Sequence, residues 1–108
     1  MELKVFWTDF AKSELKNIFD YHKEKVSGKI AQQIAEQIVL TAYELKIFPE
    51  MGMVEELLQS RPENFRYIIS TNYKIIYWIN KAKEQIEIVD VFDTRQNPIK
   101  ISRKKEGL

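Results

Sequence analysis

Apolar and charged positions alternate at the start of the chain: Leu3, Val5 and Trp7 fall on one side, Lys4 and Phe6 on the other. A period of two is that of a strand with one face on a core. Thr8 or Asp9 then offers a short side-chain oxygen to the orphan amides of a first helical turn. After it Leu15, Ile18, Phe19, His22 and Val26 recur at three-four spacing, with Lys12, Lys16, Lys23 and Lys25 elsewhere. This spacing predicts an amphipathic helix from about Asp9 to Val26. Ser27-Gly28 breaks the pattern and caps a second stripe of Ala31, Ile34, Ala35, Ile38, Ala42 and Leu45. The two helices should pack as a hairpin, with alanine letting their backbones approach. Phe48-Pro49 stops the second helix, because a residue before proline is driven out of the helical region. Pro49 to Gly52 reads as a turn, and no element is predicted from there to Pro62.

Beyond that stretch the period changes to that of strands: Phe65 to Ile69, Tyr73 to Ile79 and Ile86 to Phe92, all rich in β-branched and aromatic residues. Ser70-Thr71-Asn72 and Asn80 to Glu84 are hairpin-length connectors, so the three strands should form an antiparallel meander. Within the second of them Lys74, Ile76 and Trp78 share one face and Tyr73, Ile75, Tyr77 and Ile79 the other, one of the two being core. Helices segregated from strands predict an α+β fold of two layers: an N-terminal strand, a two-helix hairpin and a three-stranded antiparallel meander.

Composition narrows the function classes. With 108 residues, 44% hydrophobic and 31% charged, the chain suits a single domain, placed at 1–98, followed by a tail at 99–108. Absence of cysteine removes disulfides, thiol nucleophiles and thiolate metal sites, and a single histidine leaves no imidazole cage, so neither a metal nor another cofactor is expected. No uninterrupted apolar run reaches the roughly 18 residues of a membrane helix, and Met1 to Lys4 lacks a signal-peptide layout, so a cytoplasmic protein without a membrane partner is expected. Charge is unevenly divided: up to Asp93 twelve basic residues face fifteen acidic ones, while Thr94 to Leu108 carries five against one. Lys100, Arg103, Lys104 and Lys105 are thus either a solvated end or an arm that docks on a polyanion or an acidic partner.

Few residues offer chemistry. His22 sits on the first apolar stripe as a packing residue, which leaves no imidazole near the sheet and no base to activate a serine. Glu55-Glu56 reads as a solvated charge pair, and there is no glycine-rich phosphate loop. What remains is three cations on or beside the sheet: Arg66, Lys74 and Arg95. Lys74 can snorkel as an ordinary sheet-edge lysine, or it can join the two arginines in a small anion pocket. Tyr21, Tyr43, Phe48 and Met53 are candidates for exposed apolar surface that a partner would cover.

In order and spacing, the local words resemble a family. The opening strand runs into Thr8-Asp9-Phe10-Ala11, two helices follow, then the Pro49-Glu50-Met51-Gly52 turn, Arg66 leading a strand, Tyr73-Lys74-Ile75-Ile76-Tyr77, and a closing Val89 to Pro98 segment. Over nearly its whole length the chain resembles the RelE/ParE toxin superfamily of bacterial type II toxin-antitoxin pairs. The Phe92-Asp93-Thr94-Arg95-Gln96-Asn97-Pro98 word is most like ParE-type plasmid-stabilisation proteins. This resemblance implies a cognate antitoxin as partner and one of two targets: DNA gyrase, inhibited without hydrolysis, or the ribosome, where the message is cut. In the nuclease branch Arg66, Lys74 and Arg95 would be the catalytic positions. The chain departs from that branch at Phe92-Asp93-Thr94, where several nucleases carry histidine and tyrosine for acid-base work, and in its mildly acidic body; the resemblance therefore favours the gyrase branch.

Overall fold

The structure, a computed structural model, describes residues 3–95. Strand β1 (Lys4–Trp7) leads into helix α1 (Asp9–Lys25), which is followed by helix α2 (Gly28–Tyr43) and a 3-10 turn at Glu44–Lys46. Strand β2 (Met53–Val54), a second 3-10 turn at Glu56–Leu58, and strands β3 (Arg66–Ser70), β4 (Tyr73–Asn80) and β5 (Gln85–Asp93) complete the order. Both helix starts obey the capping expectation: the Thr8 hydroxyl accepts from the Ala11 amide and that of Ser27 accepts from Ile30. Thr8 also donates through its hydroxyl and its amide to the Ile88 carbonyl, both at 3.0 Å. One residue therefore starts α1 and anchors it to the sheet.

The sheet has five strands in the order β1-β5-β4-β3-β2. The three-strand meander stands as expected, with Tyr67 opposite Ile76 and Ile75 opposite Val91. Two pairings lie outside it. β1 crosses over the helical hairpin to lie parallel beside β5, Val5 facing Ile86, and the two-residue β2 adds an edge against β3. β2 escapes the sequence pattern because two residues have no period to detect.

Both faces of the sheet are buried, a departure from the single core face expected. On the inner face Ile38, Ala42 and Leu45 of the hairpin segment and Ala11 of α1 pack on Ile68, Ile75, Tyr77, Ile86, Ile88 and Val91. Leu3, Val5, Trp7, Leu15 and Ile18 close its margin as the stripes predict. On the outer face Leu58 and Phe65 cover Ile76, Val89 and Phe92. A bulge makes this second cluster possible: the β4–β5 register passes from Ile76–Asp90 to Tyr77–Ile88, leaving Val89 as the extra residue. The extra residue shifts the alternation by one, so that Val91 joins Ile86 and Ile88 in the inner core and Phe92 joins Val89 on the outer face. Val26, predicted on the α1 stripe, is instead the exposed C-cap.

The Pro49 to Gly52 turn is held by one buried phenol. Tyr77 is fully buried, donates its hydroxyl to the Pro49 carbonyl at 2.7 Å and accepts from the Gly52 amide at 3.0 Å. A Cβ on Gly52 would fall 2.5 Å from that hydroxyl and 2.7 Å from the Tyr67 carbonyl, so only glycine lets the turn approach so closely.

Candidate functional site

The three sheet cations are not brought together. Arg66 faces Tyr77 across the β3–β4 ladder, on the inner face beside Ile68. Its Nη1 donates to the Gly52 carbonyl at 2.8 Å and, at 3.4 Å, to Glu50. Arg66 is thus a second clamp on the turn that Tyr77 holds. Lys74 faces Ile69 and, with Ile76, points to the outer face, so the pleat separates it from Arg66. Arg95 follows Asp93, which lies opposite Tyr73 at the far end of β4, about 13 Å of strand from the Tyr77 level. The single anion pocket of Arg66, Lys74 and Arg95 is not assembled.

Lys74 has a different assignment. Its Nζ lies 3.1 Å from Glu55 Oε2 and 4.2 Å from the centre of the Tyr67 ring. Glu55 is 3% exposed, which overturns its reading as half of a solvated pair. The other oxygen of Glu55 accepts from the Leu57 amide at 3.3 Å and so caps the 3-10 turn that inserts Leu58 into the outer core. Lys74 neutralises a carboxylate that the roof of the outer face must bury. The sequence carried no signal for this, since a pair nineteen residues apart has no local period.

A cluster that sequence reading missed lies at the other end of the sheet. His22 Nε2 and the Tyr73 hydroxyl share a hydrogen bond of 2.8 Å, so an imidazole does meet the sheet, contrary to expectation. The α1 stripe carries His22 toward the sheet, but only the β4 register puts a hydroxyl in its path. Beside it Asp93 holds Arg95 as a fork, Oδ2 to Nη2 at 2.8 Å and Oδ1 to Nε at 3.0 Å, with the Arg95 amide also donating to Oδ1. The guanidinium depresses the Asp93 carboxyl below the ordinary aspartate value, and the carboxylate raises Arg95 in return. Burial pushes the Tyr73 phenol up, Asp93 adds to the rise, and Arg95 opposes it. Tyr73, Asp93 and Arg95 form one wall of a cleft of about 380 Å³ whose other wall is α1, through Glu14, Asn17, Ile18 and Tyr21.

The remaining notable surface is apolar. Tyr21, Tyr43, Phe48 and Met53 are all more than half exposed, as expected from the sequence, and so are Leu40 on α2 and Ile47 in the turn after it. The described residues hold no group of three or more acidic, histidine or cysteine side chains placed for a metal. No described helix is long and apolar enough to cross a membrane. Lys100, Arg103, Lys104 and Lys105 lie outside the described residues, as do Gln96 to Pro98 of the closing word and the 99–108 tail.

This element order, with β1 returned beside β5 and a helical hairpin on one face, occurs in known toxins. Residues 5–98 match the family described as ParE toxin of type II toxin-antitoxin system, parDE. The chain belongs to the ParE toxin family. Among solved structures, a chain of the chromosomal ParDE toxin-antitoxin system from P. aeruginosa is 16% identical with a TM-score of 0.70, over 85% of this chain and 96% of that one. A free mutant of the E. coli toxin RelE is 14% identical with a TM-score of 0.64, over the full length of both. A chain of the RelBE2 toxin-antitoxin complex from Mycobacterium tuberculosis is 18% identical with a TM-score of 0.55, over 86% and 99%. At these identities the structures share the fold of the ParE-type chain, RelE/ParE-like α+β. No curated protein sequence matches it.

Proposed function

We propose that this ParE-family toxin inhibits DNA gyrase by surface binding and is neutralised by a cognate antitoxin. The observation that carries the reading is the dispersal of the cations: Arg66 clamps a turn on one sheet face, Lys74 neutralises Glu55 on the other, and Arg95 is paired with Asp93 at the far end. A ribonuclease must stabilise a phosphorane with convergent charge, whereas a binding toxin needs only a rigid complementary surface. The exposed side chains of Tyr43, Ile47, Phe48 and Met53 offer apolar area for such a contact, and they suit an antitoxin segment equally. The competing reading, cleavage of message on the ribosome, draws on the His22–Tyr73 pair next to Arg95.

Two assays on the purified toxin separate these readings. Gyrase supercoiling with detection of cleavage complexes should respond to the protein, and message on programmed ribosomes should stay intact. Cut message with gyrase untouched refutes the gyrase assignment. In this proposal the tail is an electrostatic docking arm: replacing Arg103, Lys104 and Lys105 by serine should flatten the salt dependence of target or antitoxin binding. Unchanged affinity at every salt concentration would make it a solvated end. Co-expression with the neighbouring reading frame should restore growth and give a co-purifying complex.

A further inference from the structure

Helix α2 is apolar on two opposite sides, and only one of them meets the sheet. Ala31, Ile38 and Ala42 are fully buried. Leu40 stands two residues from both Ile38 and Ala42, about 200° round a helix of 3.6 residues per turn, and it is 61% exposed. Tyr43 lies three residues further along that outward side. The backbone keeps turning through Glu44–Lys46, with the Ile47 and Phe48 amides both donating to the Glu44 carbonyl, so Ile47 follows Tyr43 by about one more turn. Tyr43, Ile47 and Phe48 are also more than half exposed. On a helix of a self-contained domain this side carries charged and polar residues. Here Lys29 and Glu36 are the only charged residues of α2, so its outward side has the charge-poor, aromatic-bearing composition of an interface centre.

We propose that this side of α2 binds a second copy of the chain across a two-fold axis, the two α2 helices running antiparallel. The proposal goes beyond the gyrase reading and stands without it. Three features select a second copy as the occupant. The first is shape. Ala35, Glu36, Val39 and Leu40, at i, i+1, i+4 and i+5, surround a depression of about 400 Å³, and the exposed Tyr43 ring comes one turn later. With Leu40 of one copy opposite Tyr43 of the other, each ring seats in the facing depression, as side chains of one helix fill the grooves of its neighbour. A two-fold axis makes both contacts from the same residues.

The second feature is charge. In that register Glu36, four residues before Leu40, comes level with the turn after Tyr43 of the second copy, where Lys46 lies. Glu36 uses Oε1 to accept from Gln32 at 3.0 Å, and Oε2 is the oxygen that meets the cation. Lys46 Nζ stands 5.7 Å from the centre of its own Tyr43 ring, and an ammonium has three donors to distribute. Two Glu36–Lys46 contacts thus flank the apolar centre, one on each side of the axis. The third feature is area. Aromatic residues offer roughly 150–250 Å² each and aliphatic ones somewhat less, so Leu40, Tyr43, Ile47 and Phe48 together present about 400–500 Å² per copy. Buried on both copies with a polar rim, this reaches the lower end of specific interfaces, about 1,200 Å² in total, the size of a reversible dimer. An antitoxin or target segment seated on Tyr43, Ile47 and Phe48 must then displace the second copy.

The test is sedimentation velocity of the purified full chain from about 1 μM to about 300 μM, the range in which an interface of that size dissociates. The mass should rise from 12.9 kDa to twice that value. Leu40→Arg and Tyr43→Ala should each raise the dissociation constant about tenfold or more. Both positions are more than half exposed, so the circular dichroism and Tm of each variant should match the parent. Glu36→Lys alone and Lys46→Glu alone each create two like-charge contacts and should weaken the dimer. An equimolar mixture of these two variants, in which every such contact is between opposite charges, should pair as the parent does. A chain that is monomeric at every concentration overturns the proposal, as does a mixture that pairs no better than its components. A dimer untouched by Leu40→Arg and Tyr43→Ala uses another face and overturns it too. So does a monomeric free chain whose Leu40 and Tyr43 amides gain hydrogen-exchange protection only with antitoxin, which assigns this side to the antitoxin.

Discussion

Replacing Lys74 by alanine distinguishes a structural lysine from a catalytic one. At the observed 3.1 Å and an effective dielectric of about 20, the gross Lys74–Glu55 attraction is about 5 kcal/mol. Much of it offsets the burial of Glu55, which is 3% exposed, while Lys74 retains 22% side-chain exposure and some hydration. Removing the lysine leaves the buried carboxylate with the Leu57 amide and no countercharge from Lys74, and removes the Lys74–Tyr67 ring contact as well. A loss of about 2–4 kcal/mol follows, toward the lower side of values for a broken buried pair. With an unfolding entropy of about 2 cal/mol/K per residue, that is a fall in Tm of about 9–18 °C. Adding Glu55→Gln should recover much of the loss, because a neutral amide costs less to bury than an unpaired carboxylate. Calorimetry on Lys74→Ala, Glu55→Gln and the double variant measures the coupling. A Lys74→Ala protein that keeps its Tm yet loses toxicity would refute the structural role and return the lysine to the catalytic set.

Tyr77→Phe leaves the Pro49 carbonyl and the Gly52 amide without the hydroxyl that serves both, and should cost about 2–4 kcal/mol by urea unfolding; a change under about 0.5 kcal/mol would show that the turn relaxes to water. In acid, the depressed Asp93 carboxyl contributes stability that is full above the unfolded aspartate value near 4 and is lost as pH falls through its lower folded value, so Asp93→Asn should reduce the acid slope of Tm. In alkali the sign reverses: Tyr73 and Tyr77 titrate above their ordinary value, so their contribution is intact below about pH 10 and is lost as pH rises through the folded values. Tyrosinate absorbance should show two phenols titrating late, and loss of that delay in Tyr73→Phe would assign one of them.

Local pattern was enough for most elements. Side-chain periods of 3.6 and 2 are written into consecutive residues, so both helices, their Thr8 and Ser27 caps, β1 and the meander were legible without long-range contacts, although α2 gives way to a 3-10 turn after Tyr43, ahead of the stop expected at Phe48-Pro49. Exposure of Tyr43, Phe48 and Met53 was equally readable, each standing off the apolar stripes or beyond them. What the sequence could not carry was which distant segments meet. Parallel pairing of β1 with β5, the two-residue edge β2, and the bulge that puts Val91 inside and Phe92 outside are set by how the sheet assembles, not by any residue's neighbours. The site followed the same division. Arg66, Lys74 and Arg95 were identifiable as cations near strands, but the pleat sends Arg66 and Lys74 to opposite faces and the register puts Arg95 at the far end. Conversely, Glu55 beside Lys74 and His22 beside Tyr73 are nineteen and fifty-one residues apart in sequence. Burial made each of these pairs energetically necessary, because a polar group removed from water must find its partner wherever the fold supplies one.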